Sequence, residues 1–265
     1  MNQNKHRLAL GIEYDGTAFH GWQRQRDVVS VQETLEKALS KVAAESIKVV
    51  AAGRTDTGVH ATQQVIHFDT TAERHKDAWI MGTNTFLPPQ VRVLWVKPVP
   101  SSFDARRSAL SRRYLYKIYS HRIRPSLYRN QVGWCFKKLD LQKMREASEF
   151  LIGEHDFSSF RASECQSKTP VRRMMEINIT SLASSHPVIN SDSPWINIEF
   201  EANAFLHHMV RNMVGVLWKI GAGEAAPEWV KEVLLAKDRK TASITAPPQG
   251  LYLIAVRYPE CYEIP

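Results

Sequence analysis

The chain has 265 residues, 43% of them hydrophobic and 23% charged, which is enough for a sizeable core in one large domain or two small ones. With 35 lysines and arginines against 27 acids, the formal charge is +8, which suits a polyanionic partner and equally an ordinary basic enzyme. Cys135, Cys165 and Cys261 lie far apart with no Cys-x-x-Cys spacing, so neither a disulfide framework nor a thiolate zinc site is indicated. Met1 to Arg7 lead into a strand-like run rather than a signal segment, and no apolar stretch approaches membrane-spanning length; a cytoplasmic protein is expected.

Leu8, Leu10, Ile12 and Tyr14 alternate with smaller or polar residues, the period of a half-buried strand. Ser30-Val31-Gln32-Glu33 has the form of a capping box, and Val31, Leu35, Ala38, Leu39 and Val42 then fall on one helical face. Ile47 to Ala52 and Gln64 to Phe68 read as strands, Lys76 to Thr85 as a helix stopped by Leu87-Pro88-Pro89, and Val91 to Val96 as a strand. This β-α-β-β-α-β order is the split βαβ pattern of a ferredoxin-like sandwich, used also by RNA-recognition modules.

The second half repeats the scheme with insertions. Arg113 to Tyr119 reads as strand, Asp140 to Leu151 as helix, and Glu176 to Thr180 and Trp195 to Ala202 as strands. Helices follow over Ala204 to Ile220 and Glu228 to Ala236, and Leu251 to Arg257 closes as strand. The expected class is α/β of the α+β kind: two ferredoxin-like or RRM-like halves with mainly antiparallel sheets, divided as 1–104 and 105–265. Pro98, Pro100 and the Ser/Arg-rich stretch to Ser111 interrupt the apolar pattern at that boundary.

One loop carries candidate chemistry. Asp56 and Arg54 sit two apart between Gly53 and Gly58, after an apolar run, and both glycines can supply the positive φ of a sharp exit. If Arg54 faces Asp56, the guanidinium favours an ionised, aimed carboxylate. Turn chemistry with an Asx hydrogen bond selects the same residue types and stays open as the alternative.

The longer string Gly53-Arg54-Thr55-Asp56-Thr57-Gly58-Val59-His60 resembles the signature loop of the TruA family of tRNA pseudouridine synthases. Other segments resemble that family in order: Glu13 to Thr17, Gly21 to Gln25 with Ser30-Val31-Gln32, Phe103 to Arg106, Arg112 to Tyr116, Gly153 to Phe157, His207 to Asn212 and Gly250 to Leu253. The resemblance implies two halves with a site in the cleft between them. It implies isomerisation of uridine to pseudouridine, with Asp56 acting on the ribose as nucleophile or base, by a route the residues leave open. It gives Arg54 a part in holding the target nucleotide out of the stack, Tyr114 a stacking and proton-relay role, Arg211 a place near Asp56, and Leu251 a place beside the uracil. Arg74 and the loops Phe103-Asp104-Ala105-Arg106-Arg107 and Glu164-Cys165-Gln166-Ser167-Lys168 look like tRNA contacts. It further implies target uridines at about positions 38, 39 and 40 of the anticodon stem-loop, and a homodimer. No cofactor, metal or membrane partner is implied. Phe86 departs from the family, which has a smaller or polar residue there.

Each of these residues has a plainer reading. Tyr114 shares a strand face with Tyr116 and Ile118, as a core aromatic would, and Leu251 suits a core. His207 and His208, adjacent on the expected helix, point about a hundred degrees apart and make a poor metal pair, whereas His207 and Arg211 share a face. The pairs Arg106/Arg107, Arg112/Arg113, Arg122/Arg124, Lys137/Lys138 and Arg172/Arg173 either track phosphates or form solvated faces. The competing functions are a glycosidase or nucleoside hydrolase, for which the Asp56 loop lacks a second carboxylate, and a non-catalytic RNA-binding protein, for which the RNP aromatic consensus is absent.

Overall fold

The structure is a computed structural model that describes residues 5–182 and 195–265; residues 1–4 of the opening segment read above lie outside it. In chain order the elements are β1 (His6–Tyr14), α1 (Val31–Ala43), β2 (Val50–Ala51), β3 (His60–Thr70), α2 (Thr83–Phe86), β4 (Val91–Val99) and β5 (Ser111–Ser120). There follow β6 (Gly133–Cys135), α3 (Leu141–Glu149), β7 (Gly153–Asp156), β8 (Val171–Leu182), β9 (Trp195–Ala202), α4 (Met209–Gly221), α5 (Trp229–Ala236) and β10 (Leu251–Arg257). This is a mixed α/β chain whose strand pairings are mostly antiparallel. No helix among the described residues is long and apolar enough to cross a membrane.

The chain forms two compact units, residues 1–112 with 252–265, and residues 113–251. In the first, β1 is antiparallel to β3 on one side (Leu10↔Ile66) and to β4 on the other (Leu10↔Val96). β2 is antiparallel to β3 (Val50↔His67), so β3 separates β1 from β2 as a split βαβ unit requires. Farther along β3, β10 runs parallel to it, with Tyr252 opposite His60. Ser30 caps α1 by accepting from the Glu33 amide at 3.3 Å, and the helix buries Val31, Leu35, Ala38 and Leu39. Burying each of its two leucines stabilises by about 1.5–3 kcal/mol. Ala9, between Leu8 and Leu10, joins a separate cluster with Val65, Phe103 and Ala105, covered by Tyr258, Tyr262 and Ile264 from the chain's end.

Strand structure over Ile47 to Ala52 is shorter than the apolar run suggests. The Ile47 amide donates to Ser40 Oγ at 2.9 Å and the Val49 amide to the buried Glu36 carboxylate at 3.1 Å, so α1 side chains satisfy donors that a ladder would have used. The helix expected over Lys76 to Thr85 contains a π turn, Ala78–Gly82, before α2.

In the second unit the strand order is β5-β9-β8-β7, with β6 parallel to β5. β8 and β9 are antiparallel (Ile179↔Ile198), as are β7 and β8 (His155↔Arg172). β6 and β7 are too short to stand out in the sequence. Asp140 caps α3 by accepting from the Gln142 and Lys143 amides, and α4 is buried through Met213, Val214, Val216, Leu217 and Ile220.

α4 starts at Met209, not Ala204, with His208 in the left-handed region at φ 61°. The donors before it are taken by loop partners: the Ala204 amide by Asn203 Oδ1 at 2.8 Å, and the His207 amide by Cys165 Sγ at 3.4 Å. His207 and His208 therefore precede the helix, with ring centroids 4.0 Å apart. The helical-face arguments that separated them, and that joined His207 to Arg211, do not apply.

Candidate active site

The Asp56 loop is held residue by residue from within its own unit. The Ala52 amide donates to the Val65 carbonyl at 2.8 Å, and the Ala52 carbonyl accepts from Arg112 Nε and Nη2 at 3.2 and 3.0 Å. Gln64, wholly buried, clasps Gly53, donating to its carbonyl at 2.7 Å and accepting from its amide at 3.4 Å. Thr55 is buried; its hydroxyl lies 2.8 Å from Tyr14 Oη, and its carbonyl accepts from the Trp22 amide at 2.9 Å. Burial pushes the Tyr14 phenol up to about 12, against the opposing hydrogen bonds to Thr55 and Gln64, so the ring stays neutral.

Beyond Asp56 the Val59 amide donates back to the Asp56 carbonyl at 3.1 Å, and Gly58 takes φ +77°, a conformation open to glycine at little cost. The Gly16 amide donates to His60 Nδ1 at 3.2 Å, and the His60 ring stacks on Tyr252 with centroids 4.6 Å apart. A Cβ on Gly16 would stand 2.0 Å from the Val59 carbonyl oxygen. Thr55 and Val59 are thus fixed on both sides of an Asp56 that is itself half-buried.

Two sequence expectations for the loop need correction. Gly53 is not among the glycines with positive φ, since its amide and carbonyl are held by Gln64. Arg54 is exposed and forms no ion pair with Asp56. Tyr14, Gln64 and Arg112 brace the loop instead. Of these bracing residues, Gln64 escaped notice as a functional candidate. Tyr14 and Trp22 stood inside quoted motifs, yet their contacts to Thr55 are what reveal the role.

In the second unit Tyr114 is buried on one face of β5 with Tyr116 and Ile118, and its ring meets Phe205 edge-on at 5.0 Å. On the opposite face Arg113 pairs with Glu176, and with Glu199 and Glu201 at 3.5 and 3.3 Å. Arg211 on α4 donates from Nε to the Ala246 carbonyl at 2.8 Å, while the Ala246 amide donates to the Arg211 carbonyl at 3.1 Å. Tyr116 Oη donates to the neighbouring Pro247 carbonyl at 2.8 Å, and burial raises its pKa. Leu251 is buried.

The expected tRNA-contacting loops divide by exposure. Phe103 and Ala105 are buried, so their side chains belong to the core, while Arg106 and Arg107 are exposed. Asp104 accepts from both arginine amides at 2.9 Å, and His67 Nδ1 accepts from the Ala105 amide at 3.0 Å. In the second loop Glu164, Gln166 and Lys168 are exposed, with Cys165 and Ser167 half-buried and both carbonyls bound by Arg161. Arg74 is exposed, and its guanidinium donates to the Val42 and Ala43 carbonyls at the end of α1, the site a helix C-terminus offers a cation. Phe86 is half exposed, with Lys41 Nζ 4.8 Å from its ring centroid. Among the basic pairs, Arg112 and Arg172 are buried and Arg113 is tied to three glutamates, so these are structural groups rather than phosphate contacts.

The braced aspartate loop on an α/β scaffold is accompanied by a match to the family described as tRNA pseudouridine synthase, over residues 11–106 and 147–259. The chain belongs to this family, and its activity is the isomerisation of uridine to pseudouridine in tRNA. It is 51% identical over 260 residues to the tRNA pseudouridine synthase A of Escherichia coli O1:K1 / APEC, covering 98% of this chain and 93% of that protein. The same figures hold for the tRNA pseudouridine synthase A of Shigella boydii serotype 18. A solved H/ACA RNP bound to a substrate RNA containing 2'-deoxyuridine overlaps 80% of this chain and 43% of its own, at 10% identity and TM-score 0.36, which is too loose to bear on the assignment.

Proposed function

We propose that this synthase acts on uridines at about positions 38, 39 and 40 of the anticodon stem-loop, each extruded from its stack before reaction. Asp56 is the reacting carboxylate, acting on the ribose as nucleophile at C1′ or as base near C2′. The glycosidic bond breaks, the uracil turns, and C5 bonds to C1′ with loss of its hydrogen as a proton, while N1, freed from the sugar, takes one up. The reading is carried by one observation: Asp56 lies in a family-matched loop, half-buried, between two residues anchored on both sides. No metal or external energy source is required by this chemistry.

Arg54, exposed beside Asp56, holds the flipped nucleotide; Tyr114 offers its ring to the uracil and its hydroxyl as a proton relay; Arg211 takes part in catalysis and Leu251 contacts the uracil. Tyr114 lies outside the two matched stretches, so its role rests on the motif Arg112 to Tyr116. Arg74, Arg106, Arg107 and the loop at 164–168 contact tRNA. The division of labour is an N-terminal half, 1–104, carrying the aspartate loop, and a C-terminal half, 105–265, carrying Tyr114 and Arg211, of which residues 105–112 and 252–265 belong to the first compact unit. A homodimer in the cytoplasm completes the proposal.

Hydrogen release from uracil C5 in a labelled tRNA transcript tests it. Release from C5 at the stated positions is expected; free uracil would indicate a hydrolase, and binding without release a non-catalytic RNA-binding protein.

A further inference from the structure

Between Asp104 and Asp140 the sequence holds ten arginines and lysines and no carboxylate, a larger positive charge than the whole chain's +8. Three of the ten, Arg112, Arg113 and Lys117, lie in β5. Arg122, Arg124, Arg129, Lys137 and Lys138 are exposed around the turn and strand that follow. Lys137 pairs with Glu224; Arg122, Arg124, Arg129 and Lys138 have no ion pair among the described residues. Uncompensated cations in one short segment are what a phosphate backbone attracts.

The same segment displays rings. In β6, Gly133 and Cys135 turn inward and Trp134 does not; Phe136, just past the strand, brings its ring centroid to 6.3 Å from that of Trp134. Phe136 is 63% exposed, with Lys137 Nζ 5.5 Å from its ring centroid. The Arg124 guanidinium lies 6.0 Å from the Trp134 ring, and the Trp134 indole N–H donates to the His121 carbonyl at 2.7 Å, which fixes the ring's orientation. Ordered rings flanked by unpaired cations are the usual build of a surface that tracks a nucleic-acid strand and stacks on its bases.

We propose that this face of the second unit is a tRNA-binding surface, with Arg122, Arg124, Arg129 and Lys138 on phosphates and Phe136 against an exposed base. It rests on the tRNA-modifying reading, and it adds a contact region that the family resemblance does not include. A second copy of the chain is the competing occupant. Charge speaks against a two-fold contact through this face, because the patch would meet its own cations with no carboxylate on this segment to neutralise them.

The test measures tRNA affinity as salt is varied, for the unsubstituted protein, the triple variant Arg122→Gln/Arg124→Gln/Arg129→Gln, and Phe136→Ala. The triple variant should bind at least about tenfold more weakly at low salt, with a log–log salt slope shallower by about two to three, since each lost phosphate contact removes about 0.7–0.9. Phe136→Ala should weaken binding several-fold with the slope unchanged, and Phe136→Tyr should restore it. Unchanged affinity and slope in the triple variant would overturn the proposal. So would a change of oligomeric state in Phe136→Ala, read by sedimentation, with tRNA affinity intact. Absence of C5 hydrogen release by the unsubstituted protein would count against the catalytic reading alone, because the salt comparison is made on binding.

Discussion

Tyr14 Oη and Thr55 Oγ1 lie 2.8 Å apart in the interior, one residue before Asp56. Tyr14→Phe keeps the ring and removes one partner, leaving a buried hydroxyl short of a hydrogen bond at a cost of about 1–3 kcal/mol. A misplaced carboxylate can lose up to about a hundredfold in rate. The expected result is a fall in kcat with tRNA affinity nearly unchanged, measured by single-turnover C5 release alongside filter binding.

Asp56→Asn keeps the shape of the side chain and removes its charge. C5 hydrogen release should fall by at least about a thousandfold, as for other reacting groups, while tRNA binding persists. Binding and release measured on one preparation would separate the two effects.

Gly16→Ala should be damaging although Gly16 is far in sequence from the loop. Its new methyl would meet the Val59 carbonyl at 2.0 Å, a backbone atom that cannot swing aside. Overpacking of this kind costs about 1–3 kcal/mol. The variant should unfold at lower urea and lose activity beyond what its folded fraction explains.

His67 links acidity to the loop at 103–107. Burial, with Arg7 adding to it, holds the imidazole below its ordinary pKa against the opposing Asp104 and Asp69, and neutral Nδ1 accepts the Ala105 amide. A depressed folded-state pKa means that the stabilisation is complete above about 6.5 and drains away as pH falls, by at most about 1.4 kcal/mol per pH unit. Urea unfolding at pH 7.5 and pH 5 should show this loss, and His67→Gln should lessen it.

The strands and helices with strong period were legible: β1, α1 with its Ser30 cap, β9 and β10 stand close to where alternation and capping put them. What failed has common causes. Ile47 to Ala52 has the composition of a strand, but its amides are claimed by Ser40 and Glu36, partners that no local pattern reveals. His207 and His208 sit beside a true helix, and loop partners such as Asn203 and Cys165, which bind amides there, keep them out of it. In the site, Asp56 was visible through its motif. Whether Arg54 faces Asp56 was open in the sequence; the loop is held by Tyr14 and Gln64, reached through strand pairing rather than nearness in sequence.

The first unit closes with residues made only after the whole second unit. Tyr258 and Tyr262 pack on Phe103, each with ring centroids 5.1 Å away, and Tyr258 Oη donates to the Ala105 carbonyl at 2.6 Å. A ribosome that has released residues 5–112 has therefore released a sheet lacking one strand and a core lacking its cover. That half must wait, partly open, through synthesis of the whole intervening unit, and a nascent chain halted before Tyr252 should remain sensitive to protease across both β3 and the Asp56 turn.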